Sequence, residues 1–166
     1  SRGEENIMTE GVPISQAAIS PAKRQAALLM SPQQIVAHFD EIFPDRVALG
    51  WTFEIEHMEP YAARVRLPQD ARNIRPGGSI SGPAMFHLAD YAIWVLIIGM
   101  LGKSGVDAVT SNLAMTYLRK PTGDLVARVR ITKLGRRLTM ADVEIHRQGE
   151  AEMVAHATAT YAMAEV

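Results

Sequence analysis

The sequence predicts an α+β fold in which an antiparallel sheet wraps around one long central helix, and three observations predict it. A single helical run, Ser81 to Leu101, is apolar almost throughout, as a helix buried on all sides would be. Two strand-like blocks precede it and four follow. The joins between the later blocks are too short for the crossover helix that a parallel sheet needs.

Each element has its own signal. Ser1 to Ser20 shows no periodicity and reads as a disordered tail, which leaves residues 21–166 as one domain. Pro21 to Met30 suits a short helix. Ser31-Pro32-Gln33-Gln34 starts a second one, with a Ser cap, a Pro in the first turn and a Gln three residues after the cap, and Pro44 ends it. Leu49 to Met58 alternates Trp51, Phe53, Ile55 and His57 against Thr52, Glu54 and Glu56, the period of a half-buried strand. Glu59-Pro60 turns the chain into a partner strand, Tyr61 to Leu67. A breaker-rich loop, Pro68 to Ile80, feeds the central helix. Asp107 to Arg119, Leu125 to Leu134, Leu138 to Arg147 and Glu152 to Met163 then alternate as strands. Their joins, Pro121-Thr122-Gly123, Gly135-Arg136 and Gln148-Gly149, have the brevity of an antiparallel meander.

Composition removes several functions. With 17 Lys+Arg against 18 Asp+Glu the net charge is −1, so no global field favours nucleic acid or an anionic membrane. The absence of cysteine excludes disulfides, thiolate catalysis and Cys-ligated zinc, and fits a cytoplasmic location. Tyr91 to Leu101 falls short of the ~20 apolar residues of a membrane span. Ser1 to Glu10 lacks the basic and then apolar order of a secretory signal.

Chemistry concentrates at the central helix. Asp90 is a lone acid among apolar residues, and a carboxylate there is costly to bury without compensation. Ser81 or Gly82 caps the helix with Pro83 in its first turn, so the Gly82 N–H leaves the positive helix end with no intrahelical partner and suits a developing oxyanion. Gly82 and Asp90 are eight residues apart, roughly 12 Å at 1.5 Å per residue, too far to serve one carbonyl within one chain. Two antiparallel helices in a homodimer, or a dimer of dimers, would bring one subunit's Gly82 to the other's Asp90.

The order of elements, the stretch Asn73 to Asp90, the strand Ala108-Val109-Thr110-Ser111-Asn112-Leu113-Ala114-Met115-Thr116-Tyr117, and the segments Leu134-Gly135-Arg136 and Val154-Ala155-His156-Ala157 resemble the hotdog-fold acyl-CoA thioesterases of the phenylacetate-pathway (PaaI-like) type. In that family a His-Gly-Gly motif opens the central helix, and an Asp follows nine positions after the His. Asp90 stands nine positions after Ser81, so Ser81-Gly82-Pro83 occupies the motif with Ser in place of His and Pro in place of the second Gly. The resemblance implies a hotdog domain and hydrolysis of an acyl-CoA thioester, with Asp90 as base or nucleophile. Thr110 matches a hydroxyl near the acid, and Asn73 lies two residues earlier than the family's Asn. Coenzyme A is expected only as part of the substrate, with no metal and no redox cofactor.

Each residue also has a plainer reading. Asp90 is then a paired structural carboxylate, Ser81 a helix cap, Thr110 a residue of high strand propensity, and Gly78 and Gly82 suppliers of turn dihedrals. His87, one turn from Asp90, is a base, its partner, or a core histidine bonded to backbone. Arg75, Arg119, Lys120, Arg136 and Arg137 either grip the phosphates of coenzyme A or stand in solvent. At the level of the whole protein, the alternatives are an acyl-CoA binder without hydrolysis, an enoyl-CoA hydratase or dehydratase using His87 with Asp90, and a purely structural domain.

Overall fold

The computed structural model describes residues 27–164. The tail expected over residues 1–20 and most of the helix expected over Pro21 to Met30 lie outside the described residues. Residues 27–30 are not helical; the N–H groups of Leu29 and Met30 both donate to the Gly99 carbonyl, at 2.8 and 3.2 Å.

Helix α1 (Pro32–Ile42) opens on the expected capping box, with the Ser31 hydroxyl taking the Gln34 N–H and the Gln34 side chain taking that of Ser31. It buries Ile35 and Phe39, and the Phe39 ring stacks on Trp94 at 4.9 Å. The chain continues through β1 (Glu54–Glu59), β2 (Ala62–Leu67), α2 (Gly82–Leu101), a 3-10 segment (Gly102–Asp107), β3 (Val109–Tyr117), β4 (Leu125–Leu134), β5 (Leu138–Arg147) and β6 (Met153–Ala162). One six-stranded sheet in the order β1-β2-β4-β5-β6-β3, antiparallel at every pairing, curls around α2. This is the hotdog arrangement.

Three expectations are corrected. The strand expected over Leu49 to Met58 starts only at Glu54, and a bulge between Ile55 and His57 shifts its alternation by one residue. Met58, not His57, therefore faces the core, against Gly99, where an added Cβ would overlap the Met58 sulfur. Secondly, only β4, β5 and β6 form a meander. β4 has both edges filled, by β2 and β5, so β3 takes the free edge of β6. The seven residues between β3 and β4 span roughly 24 Å when extended, enough to pass two intervening strands at about 4.8 Å spacing. Thirdly, the helix spans Gly82–Leu101 as expected, but the stretch to weigh against a membrane span is not Tyr91 to Leu101 alone. Gly82–Asp107 is long and apolar enough to cross a bilayer by composition, but 67% of its most apolar stretch is buried inside this domain.

α2 is the hydrophobic axis. Leu88, Ile93, Leu96, Ile97 and Ile98 are fully covered by inward residues of the sheet such as Val65, Val129, Val143 and Ala157. An all-round apolar helix is stable only under such cover, and β3, the last strand of the sheet on one side, is itself largely exposed.

Candidate active site

Asp90 is the one acid on α2, and two hydroxyls meet it there. Thr110 Oγ1 donates to its Oδ1 at 2.6 Å. The Tyr161 hydroxyl donates to the same Oδ1 and, at 2.8 Å, to the Asp90 backbone carbonyl. The two donors are cross-strand neighbours, because β3 and β6 pair Thr110 with Tyr161. Tyr161 is only 2% exposed. Burial, reinforced by the Asp90 charge, pushes its ionisation far above the ordinary tyrosine range, so the phenol remains a proton donor at any physiological pH.

A cleft of about 290 Å³ opens beside the carboxylate, lined by Trp51, His87, Tyr91, Trp94, Val106 and Thr110 among others. His87 is half-buried, with its ring edge-on to Trp51 at 4.8 Å and Phe53 at 4.7 Å. Loss of solvent lowers its pKa, against an opposing pull from Asp90, and so favours the neutral imidazole. Burial likewise raises the Tyr91 phenol to about 12.

A second group of the expected residues gathers at the start of α2. Ser81 is the N-cap, as expected; its hydroxyl accepts from the Ala84 N–H at 3.2 Å and its own N–H donates to the Asn73 carbonyl at 2.8 Å. Gly82 is the first helical residue, so its N–H has no acceptor within the helix. The Tyr117 hydroxyl donates to the Gly82 carbonyl at 2.9 Å. Gly82 borders a second cleft, of about 530 Å³, together with Arg75, Met85, Tyr117, Arg119 and Lys120. The clefts lie at opposite ends of β3, one beside Val109 and Thr110 and the other beside Tyr117.

The structure thus divides the predicted residues into groups. Asp90, Thr110 and His87 share one cleft, whereas Gly82, Arg75, Arg119 and Lys120 share the other. Arg119 also pairs with Glu152 at 2.8 Å, both half-exposed. Arg136 and Arg137 are exposed in the β4–β5 turn and line neither cleft. Asn73 is buried with both ends of its amide committed to its own loop, Nδ2 to the Pro68 carbonyl at 3.0 Å and Oδ1 to the Asp70 N–H at 3.1 Å. Gly78 is an exposed turn residue with φ 85°, its N–H donating to the Arg75 carbonyl.

Sequence reading missed Tyr161 and Tyr117. The alternation of β6 marks residue 161 as inward-facing, but the same signal describes any core aromatic residue. Among the described residues, no group of three or more His, Cys, Asp or Glu is placed to hold a metal ion.

Comparison with known proteins places this geometry in context. The model of the thioesterase superfamily matches residues 77–154. A proposed thioesterase from Silicibacter sp. superposes with a TM-score of 0.73 at 33% identity, over 84% of this chain and 96% of that one. A mutant form of the phenylacetic acid degradation protein PaaI from Thermus thermophilus aligns with a TM-score of 0.61 at 26% identity, over 73% and 99%. A Streptococcus mutans protein solved with acetyl-CoA gives 0.59 at 24% identity, over 68% and 89%, a likeness of fold alone. None of the curated proteins matches the sequence.

Proposed function

Given that the chain belongs to the thioesterase superfamily and carries the hotdog fold, we propose that it hydrolyses an acyl-CoA thioester at a site shared by two subunits, with Asp90 as base or nucleophile. The observation that carries this reading is the clamped carboxylate at one end of β3 with the Gly82 N–H, which has no acceptor within its helix, at the other.

Antiparallel pairing of β3 with its copy in a second subunit sets the start of one strand against the end of the other. The Asp90 cleft of one subunit then adjoins the Gly82 cleft of its partner. The exposed edge of β3, with Val109 at 61% and Tyr117 at 48%, favours such pairing. In that arrangement the thioester carbonyl lies against the Gly82 N–H and the positive end of α2. Asp90 takes a proton from water while the water oxygen bonds to the acyl carbon, or attacks that carbon itself and is released by water afterwards. Collapse of the tetrahedral adduct breaks the C–S bond, and the electron pair leaves with the thiolate of coenzyme A. Arg75, Arg119 and Lys120 border the Gly82 cleft as partners for its phosphates. A cytoplasmic location and independence from any metal or redox cofactor belong to the same proposal.

A second reading, hydration of an enoyl-CoA, draws on His87 and Asp90 lining one cleft. Incubation with a panel of acyl-CoAs and a thiol reagent decides between them. Release of free coenzyme A supports hydrolysis; hydration of an enoyl-CoA without release, or binding without either, overturns it.

A further inference from the structure

We propose that Tyr161 is a positioning residue for Asp90: its hydroxyl and that of Thr110 together occupy Oδ1, so that Oδ2 alone is presented to the reacting thioester. The inference rests on the hydrolase reading above and assigns a role to a residue outside the motif.

The geometry goes beyond what a core tyrosine requires. A buried phenol needs one acceptor, and the Asp90 carbonyl at 2.8 Å supplies it. The further contact with Oδ1 ties the carboxylate to the backbone of its own residue, fixing the side chain relative to the axis of α2. Thr110 arrives at the same oxygen from the other side of the strand pair, at 2.6 Å. Oδ2 meets no donor among the described residues, and Asp90 borders the cleft. Tyr161 is also hard to displace. It lies on β6 between β3 and β5, paired with Thr110 on one side and with Thr139 on the other, and Thr139 is fully buried. A phenol held this way aims one carboxylate oxygen, whereas a solvated Asp on a helix rotates freely about χ1 and χ2.

The test uses the full chain carrying Tyr161→Phe, which keeps the ring and removes the donor, with Thr110→Val beside it. On an acyl-CoA that the wild type hydrolyses, Tyr161→Phe is expected to lower kcat at least tenfold, toward the ~10²-fold cost of misplacing a reacting group by an ångström, with KM changed less than about twofold. Wild-type kcat in Tyr161→Phe would overturn the proposal.

A second readout does not need turnover. The buried Tyr161 hydroxyl proton is expected downfield in the proton NMR spectrum, absent in Tyr161→Phe and shifted upfield in Asp90→Asn. If that proton ignores Asp90→Asn, the assignment falls. Should the wild type hydrolyse no acyl-CoA, the hydrolase reading fails on its own, and this resonance still decides whether Tyr161 holds the carboxylate.

Discussion

Tyr117 donates its hydroxyl proton to the Gly82 carbonyl across 2.9 Å, and its ring stands 3.3 Å from where a Cβ on Gly82 would be. One side chain thus both anchors the first residue of α2 and keeps it small. Gly82→Ala needs the Tyr117 ring or the start of the helix to give by a few tenths of an ångström. Where the helix start gives, the N–H proposed as oxyanion donor moves, and kcat is expected to fall by less than the ~10²–10³-fold cost of losing such a donor outright. Tyr117→Phe leaves the N–H in place and should stay near wild type in steady-state kinetics. Equal losses in the two variants would mean that the Tyr117 bond, not the donor, carries the effect.

Asp90→Asn should lower turnover by ~10²–10⁴-fold, the usual contribution of a general base, while the thermal midpoint stays close to wild type. The amide oxygen can still accept from Thr110 and Tyr161, so the fold keeps its contacts while the base is lost. A variant that turns over acyl-CoA at the wild-type rate would make Asp90 structural.

Replacing Arg75, Arg119 and Lys120 together by Ala should raise KM for CoA esters well above any change for a small thioester lacking the nucleotide. All three line the Gly82 cleft. The double variant Arg136→Ala, Arg137→Ala is the contrast, with a smaller rise expected because both residues stand outside either cleft. Equal KM changes on the two substrates would remove phosphate binding from the account.

His87 makes stability depend on pH. Burial lowers its pKa below the ordinary 6.5, against the pull of Asp90, so the unfolded chain binds this proton more readily than the folded one. The stabilisation is therefore present above about pH 6.5 and is lost as the pH falls through the folded value. Half-exposure keeps the effect modest. His87→Gln should shrink the drop in denaturation midpoint between pH 7 and 5, and identical slopes in both proteins would assign the acid sensitivity elsewhere.

Local signals were sufficient for α1 and α2 but not for the helix expected over Pro21 to Met30, whose described residues 27–30 are not helical. Ser31, Pro32 and Gln34 announce α1, and Ser81 with Pro83 announces α2, because caps are satisfied within a few residues. The partner of β3 was not legible, since alternation marks a strand without naming its neighbour. The bulges at Ile55/His57 and Thr110/Asn112 each slip the period by one residue, which pattern reading carries forward as an inverted face. At the site, Asp90 stood out by charge alone. Tyr161 did not, because its meeting with Asp90 spans 71 residues of sequence. Arg75 joins Arg119 and Lys120 where the Ile80 N–H binds the Pro121 carbonyl at 2.8 Å and the Tyr117 hydroxyl binds the Gly82 carbonyl, contacts between segments distant in sequence.

The order of strands also sets a schedule. β3 finds its hydrogen-bonding partner within the sheet only on β6, so Thr110 has no fixed place until the last described strand arrives. A growing chain releases Asp90 71 residues before Tyr161, a wait of roughly 4 to 14 s at ~5–20 residues per second of synthesis. Over that interval β5 and β6, which complete the sheet around α2, are still being made. The chain's most apolar helix is then open to chaperones and to other nascent chains, and closing β6 against β3 both ends that exposure and completes the grip on the carboxylate.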